Sequence, residues 1–178
     1  CVPGTFSATP GQAACELCAP GFFQAEIGAT TCTSCPLGSF CPEGATTPIF
    51  CSDGTVGQFQ GLSARAQCSE CPPGHWCTAG KAIPCSLGFY QPLPSAINQT
   101  YCKKCPEYST TLSVGATSLA ECMCKPGFVS VPASDGRHAC VCDVGFELVP
   151  LAVGAKCQSC VAGKFKSTVD NSLCIRCP

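Results

Sequence analysis

Charge is scarce in this chain. Only 12 % of its 178 residues are Asp, Glu, Lys or Arg, and the net charge is −1; an ordinary soluble domain carries about 25 %. Nucleic-acid binding needs Lys and Arg gathered on one face, so DNA and RNA are excluded as partners. Met and Trp occur once each and His twice. Large aliphatics are thinly spread and form no helical stripe, so one oily interior is not expected despite adequate length. No apolar run approaches the roughly 18 residues that cross a bilayer. The most apolar stretch, residues 146–155, is broken by Glu147, Pro150 and Gly154. No leader is visible either. Because residue 1 already belongs to a repeat, any leader is expected upstream.

What the chain has instead is cysteine, 21 residues of it, above the roughly 8–10 % that marks a disulfide scaffold. The cysteines fall in a phrase. Start cysteines recur at Cys1, Cys18, Cys35, Cys51, Cys71, Cys85, Cys105, Cys124, Cys142, Cys160 and Cys177, 14 to 20 residues apart. This predicts ten repeats: 1–17, 18–34, 35–50, 51–70, 71–84, 85–104, 105–123, 124–141, 142–159 and 160–176, with 177–178 opening another. Beginning and ending at the same point in the phrase is expected of an excerpt from a longer array.

Inside the phrase the third residue after the start cysteine is Gly, from Gly4 to Gly163, with Tyr108 as the exception. Pro before it fixes φ, and Gly supplies the positive φ that such a turn requires. An aromatic follows, such as Phe6, Phe23, Phe40, Trp76 or Tyr90, able to lie over a disulfide where no ordinary core exists. A second Gly often precedes the closing cysteine, as in "IGATTC" and "VGAKC", and reads as a hairpin loop or bulge. Each repeat is thus a minimal two-stranded hairpin, too small to be stable alone. The fold class read from this is small and disulfide-rich: an elongated rod of stacked two-stranded β-hairpin repeats, with much irregular structure and nearest-neighbour contacts.

The simplest connectivity joins each start cysteine to the next cysteine that is not a start. It gives Cys1–Cys15, Cys18–Cys32, Cys35–Cys41, Cys51–Cys68, Cys71–Cys77, Cys85–Cys102, Cys105–Cys122, Cys124–Cys140, Cys142–Cys157 and Cys160–Cys174, and leaves Cys177 unpaired in this segment. Two repeats, "CPLGSFCPEGATTPIFC" and "CPPGHWCTAGKAIPC", carry an early cysteine and lack the closing CxxC. There Cys41–Cys51 and Cys77–Cys85 stay open as alternatives.

Other chemistries fit less well. Six CxxC pairs suggest zinc knuckles, but pairs are missing after Cys35 and Cys71 and become CxC at 122/124 and 140/142. One bond per phrase uses every cysteine except the last, whereas zinc strands several. Redox work needs one CxxC at a helix start. The stretch "SDGRHAC", with Ser134, Asp135, His138 and Cys140, reads as a hairpin tip on its Asp-Gly dipeptide. His75 is isolated, and the carboxylates, from Glu16 to Asp170, are dispersed. They make neither a calcium loop nor an acid/base pair. No catalytic residue, metal ligand or cofactor is assigned. Asn98-Gln99-Thr100 is an N-glycosylation acceptor, and disulfides imply a secretory route that would let it be used.

The stretches "CAPGFFQAEIGATTCTSCPLGSF" and "CPEYSTTLSVGATSLAECMCKPGFVS" resemble the cysteine-rich, EGF-like segment of ephrin receptors. They are also similar to the ephrin-receptor-like repeats of large extracellular proteins and, more loosely, to tumour-necrosis-factor-receptor repeats. The close Cys122-Met123-Cys124 matches an EGF-type C-x-C. The "CPxGxxCxxGxxxPxxC" variant resembles long surface proteins of algae and protists, some of which build flagellar hairs, or mastigonemes. The resemblance covers the whole chain and implies an architecture and an extracellular or cell-surface location, with the ligand unknown.

The expected function is a non-enzymatic structural and assembly module of a larger secreted or surface glycoprotein, part of a filament or flagellar appendage. Its partners would be other protein chains, neighbouring repeats and glycans. The alternative is a receptor ectodomain that binds a protein ligand where the pattern departs, near Tyr108 or Val56. Exposed aromatics such as Phe50, Phe59 and Tyr101 separate the two readings.

Overall fold

The turn after each start cysteine is what makes the hairpins. In the computed structural model of the chain, which describes residues 1–9, 11–12, 14–133 and 138–178, Thr5 donates its N–H to Val2, Phe22 to Ala19, Ser39 to Pro36 and Ser109 to Pro106. Each bond closes a four-residue turn; in the first three the third position is the phrase glycine at positive φ, for example Gly4 at 84° and Gly21 at 90°. Tyr108 takes the same conformation at 58°. The backbone therefore keeps its course where the glycine is lost, against a left-handed penalty of about 1–2 kcal/mol. The Asp135-Gly136 tip read from the sequence lies outside the described residues.

Among the described residues the strands form ten two-stranded antiparallel sheets. Most are two residues on each side, as where Thr5–Phe6 pairs with Glu16–Leu17 and Phe22–Phe23 with Thr33–Ser34. Three are longer: His75–Thr78 with Lys81–Pro84, Val129–Pro132 with His138–Val141, and Phe146–Pro150 with Ala155–Ser159. The first turns through Ala79 and Gly80 at φ 47° and 71°, the two-residue loop that needs positive φ twice. These are stacked hairpin repeats, each held by one sulfur–sulfur bridge.

Those bridges are Cys1–Cys15, Cys18–Cys32, Cys35–Cys41, Cys51–Cys68 and Cys71–Cys77, then Cys85–Cys102, Cys105–Cys122, Cys124–Cys140, Cys142–Cys157 and Cys160–Cys174. Cα–Cα distances run from 5.4 to 5.9 Å, within the span a disulfide accepts. Cys177 is exposed and outside the ten.

Sulfur is also the interior. Cys18, Cys35, Cys41, Cys71, Cys77, Cys85 and Cys142 are fully buried. Among the described residues Val56 and Leu62 are the only large aliphatic side chains that are buried. Phe23 packs on the Cys35–Cys41 bridge and Ala45 of the next repeat, so an aromatic covers a neighbour's disulfide.

The chain divides into two compact units, Cys1–Cys85 with Gln91–Cys102, and Ser86–Tyr90 with Lys103–Pro178. In the first unit the backbone itself couples the repeats. Each phrase glycine donates its N–H to the next repeat: Gly4 to Gln24, Gly21 to Cys41, Gly54 to Cys77 and Gly74 to Gln91. The carbonyl of each of these glycines accepts the N–H of the following start cysteine, as with Cys18 on Gly4 and Cys35 on Gly21.

The second glycine does something the hairpin reading does not predict. Gly28, Gly44 and Gly61 donate to the carbonyls of Cys1, Cys18 and Cys35, the start cysteines of the preceding repeats. Ser95, at φ 62°, fills that place by donating to Cys71. Among the described residues it is in the long hairpins, at Gly80 and Gly154, that this glycine sits in the hairpin loop. Contacts also reach past the nearest neighbour. A β-carbon on Gly21 would lie 2.5 Å from the carbonyl oxygen of Gly61, two repeats on, and one on Gly54 would lie 2.9 Å from that of Ser95.

Candidate functional site

The sixth residue after each start cysteine is where the repeats differ in chemistry. In successive repeats it is Ser7, Gln24, Cys41, Gly57, Cys77, Gln91, Thr111, Ser130, Leu148 and Lys166. It directly follows the two-residue first strands and lies within the longer ones, and in six repeats it is buried: Cys41, Gly57, Cys77, Gln91, Thr111 and Lys166. A buried polar side chain must find partners; Gln91, Thr111 and Lys166 do, and so does the half-buried Gln24. Gln24 accepts from the N–H of Glu26 at 2.9 Å and donates to the carbonyl of Thr31 at 2.7 Å. Gln91 accepts from the N–H of Leu93 at 3.2 Å. Thr111 accepts from the N–H of Gly88 at 3.1 Å, tying its repeat to the one before.

Cys41 and Cys77 occupy this same inward position. A short bridge to Cys35 or Cys71 there replaces the hydrogen-bonding side chain that other repeats use. This explains why those two repeats have no closing CxxC.

Lys166 is the extreme case. Its ammonium donates to the carbonyls of Cys142 (3.4 Å), Phe146 (2.8 Å) and Asp170 and lies 3.4 Å from the Asp170 carboxylate. Burying a charge is costly unless it is paired and hydrogen-bonded, and here the side chain meets that condition by gathering carbonyls from two repeats. Asp170 accepts from the hydroxyl and the N–H of Ser172, and these donors first, then Thr168 and Lys166, hold its carboxyl well below the usual carboxylate range. Dispersed carboxylates serve a similar purpose elsewhere. Asp53 accepts from Thr78 Oγ1 at 2.9 Å, and Glu147 accepts the N–H of Cys174 at 2.9 Å. Among the described residues no group of His, Cys, Asp and Glu is arranged to hold a metal ion.

A surface feature lies in the second unit, where the phrase departs from its pattern. Tyr108 stacks on Phe128 with ring centroids 4.8 Å apart and planes 5° from parallel. Phe128 also lines a groove of about 560 Å³ with Leu119, Met123, Ser130 and His138, floored by the Cys124–Cys140 bridge. Beside it, one turn of 3-10 helix at Leu119–Glu121 is capped by Glu121, which accepts the N–H groups of Thr117 and Ser118 at 2.8 and 3.0 Å. The Thr117 N–H first, then its hydroxyl, keep the Glu121 carboxyl below its ordinary value. Val56 is no such surface: it is buried against the Cys71–Cys77 bridge. Phe50, Phe59 and Tyr101 stand exposed, at 61, 68 and 47 %. His75 places Nδ1 3.1 Å from the carbonyl of Pro73, within its own turn.

Asn98 is exposed at the start of a second such helical turn, Gln99–Tyr101. A third spans Arg65–Gln67. The inward sixth position, the carboxylate ties and Ser95 in a glycine's place are not apparent from cysteine spacing. Aligning the repeats on their start cysteines would have shown the first, because Gln, Thr and Lys fall in register with Cys41 and Cys77.

Positive-φ turns, one bridge to a hairpin and a sulfur interior define a class: a disulfide-rich repeat of extracellular type. The chain belongs to the family described as tyrosine-protein kinase ephrin type A/B receptor-like, which matches residues 4–53 and 77–122, more than half of its length. It is also similar to two curated proteins of Toxoplasma gondii. Identity is 36 % over 78 residues with cysteine repeat modular protein A and 34 % over 82 residues with cysteine repeat modular protein B. These stretches cover 43 and 46 % of this chain, yet only 2 and 1 % of the two relatives. No helix among the described residues is long and apolar enough to cross a membrane.

Proposed function

We propose that the chain is a non-enzymatic structural and assembly module of a larger secreted or cell-surface glycoprotein, serving in a filament or flagellar appendage. In this reading residues 1–178 are a continuous array of ten repeats whose faces contact other protein chains. One observation carries it: the interior is mostly cysteine, and apart from Val56 and Leu62 the large aliphatic side chains are not buried among the described residues. Leu17, Ile27, Phe50, Phe59, Leu112, Val153 and Ile175 are all exposed, on a surface with little charge to keep neighbours apart. These side chains are the surface through which the proposed contacts with other chains would be made, since apolar surface gathered in patches marks association. The names of the two Toxoplasma relatives, modular proteins of cysteine repeats, and their much greater length agree with a part repeated within a larger protein.

Sedimentation of the oxidised chain over a range of concentrations tests the proposal. Self-association that weakens when Phe50, Phe59 and Tyr101 are changed to Ala is the expected result. A chain that stays monomeric at high concentration would sink it.

A second reading rests on the groove beside Tyr108. It is apolar, shaped by Leu119, Met123 and Phe128, and lies where the phrase is broken, as the ligand face of a receptor ectodomain would. Met123→Asp separates the two: loss of a soluble partner without loss of self-association favours the receptor.

A further inference from the structure

The three helical turns are built alike and capped differently. In the turns at Arg65–Gln67 and Leu119–Glu121, the third residue reaches back. Gln67 accepts from the N–H groups of Ser63 and Ala64 at 2.6 and 3.2 Å, and Glu121 does the same for Thr117 and Ser118. The residue opening the turn then needs no acceptor of its own, and at one site it is Ala64. In the turn at Gln99–Tyr101 the third residue is Tyr101, which carries no acceptor that could reach back. There the opening residue supplies the cap. Asn98 Oδ1 accepts the N–H of Thr100 at 3.0 Å and the Thr100 hydroxyl at 2.5 Å.

Only one end of the Asn98 amide is used by the fold. Its oxygen caps the turn, and its nitrogen donates no hydrogen bond among the described residues. Asn, Asp, Ser and Thr all cap helical turns, so capping alone does not require an amide here. Nor does it require a hydroxyl two residues on, since the Thr100 N–H already fills the cap. The pair is explained by a second use, one that takes the nitrogen and leaves the oxygen.

We propose that Asn98 is the attachment site of an N-linked oligosaccharide in the folded, secreted protein; the inference rests on the extracellular reading above. A bond forms between Asn98 Nδ2 and the anomeric carbon of the first sugar. The bond from that carbon to the phosphate oxygen of a lipid-pyrophosphate donor breaks. The pyrophosphate leaves with the electron pair, and Nδ2 gives up one proton to a base of the transferring enzyme. The primary amide becomes a secondary one with its carbonyl intact, so the Thr100 N–H keeps its acceptor and the turn stays capped. The sugar projects from an exposed turn, while the chain on its N-terminal side stays docked: Ala96 is fully buried and its carbonyl accepts the N–H of Cys77.

The test secretes the whole 178-residue chain from eukaryotic cells and maps its peptides without reduction, before and after peptide N-glycosidase digestion in heavy-oxygen water. The expected result is heavy Asp at position 98 after digestion and all ten bridges in place. Asn98→Asp keeps the capping acceptor and Thr100→Val keeps the capping N–H. Both should be secreted with the same bridges and with glycan occupancy reduced at least tenfold. An oxidised, secreted chain bare at Asn98 overturns the site while leaving the extracellular reading intact. A chain retained with free thiols overturns both. A glycan that persists in Asn98→Asp is carried elsewhere and overturns the assignment.

Discussion

Gly21 and Gly61, two repeats apart, meet backbone to backbone: a β-carbon on Gly21 would lie 2.5 Å from the Gly61 carbonyl oxygen. Gly127 holds the same turn position in another repeat at nearly the same φ, 89° against 90°, with nothing within 4 Å of its missing β-carbon. The two glycines separate conformation from packing. Gly127→Ala should cost about 1–2 kcal/mol from the left-handed backbone alone. Gly21→Ala should cost a further 1–3 kcal/mol or so, because backbone must move. Denaturant melts of the oxidised variants, each followed by protease accessibility of its own unit, give both values. Equal costs would mean the close approach is not constraining.

Tyr108 bears the left-handed strain and earns a stack on Phe128. Tyr108→Gly relieves roughly 1 kcal/mol of strain. It loses about 0.5–1.5 kcal/mol of ring pairing and up to about 1.5–3 kcal/mol of burial. The net expectation is a loss of about 1–2 kcal/mol, and Tyr108→Ala should be worse because it keeps the strain. A Tyr108→Gly chain more stable than the parent would show that packing is not why the tyrosine is tolerated.

The two short bridges test what a disulfide does in this fold. Chain entropy ranks Cys35–Cys41, with a separation of 6, below Cys1–Cys15, with a separation of 14, at about 2 against about 3 kcal/mol. Burial ranks them the other way, since Cys35 and Cys41 are fully buried under Phe23 while Cys15 is exposed. Replacing each pair by Ala should destabilise more at Cys35–Cys41. The reverse order would leave sulfur as a tether with no part in the interior.

Acid should loosen the turn beside the groove. The carboxyl of Glu121 is lowered from its ordinary value of 4.5 by the Thr117 and Ser118 donors. A carboxylate lowered on folding contributes stability that is whole above its unfolded pKa and is lost as pH falls through the folded one. The parent should therefore weaken relative to Glu121→Gln below about pH 4.5 and match it at neutral pH, where Gln67 already shows that an amide can cap. Hydrogen exchange of the Thr117 and Ser118 amides across that window reads the difference. Parallel curves would rule the carboxylate out as the cause.

Lys166 should be irreplaceable by an apolar chain of its own length. Lys166→Met leaves carbonyls of Cys142, Phe146 and Asp170 without their donor, at about 1–3 kcal/mol for each one that water does not reach. The Gly145 N–H, which donates to the Lys166 carbonyl, should exchange faster in the variant. Unchanged exchange there would mean that the ammonium does not hold the two repeats together.

Much of this protein is legible because its structure is local. Start cysteine, proline, glycine and aromatic sit within one turn and strand, so the phrase shows where each hairpin opens. Each bridge closes inside one phrase, which is why spacing alone suggests partners. Even Tyr108 is conspicuous as the residue where glycine is missing. What could not be read is what the backbone does between repeats. Carbonyl groups look the same at every position in a sequence. That Gly28 and Gly44 bond to start cysteines of preceding repeats, that Ser95 imitates them, and that Gly21 meets Gly61 depended on how one hairpin lies on the next. Lys166 shows the same division: in the sequence it is one more lysine, and only the tertiary structure surrounds it with the acceptors that make it an internal cation.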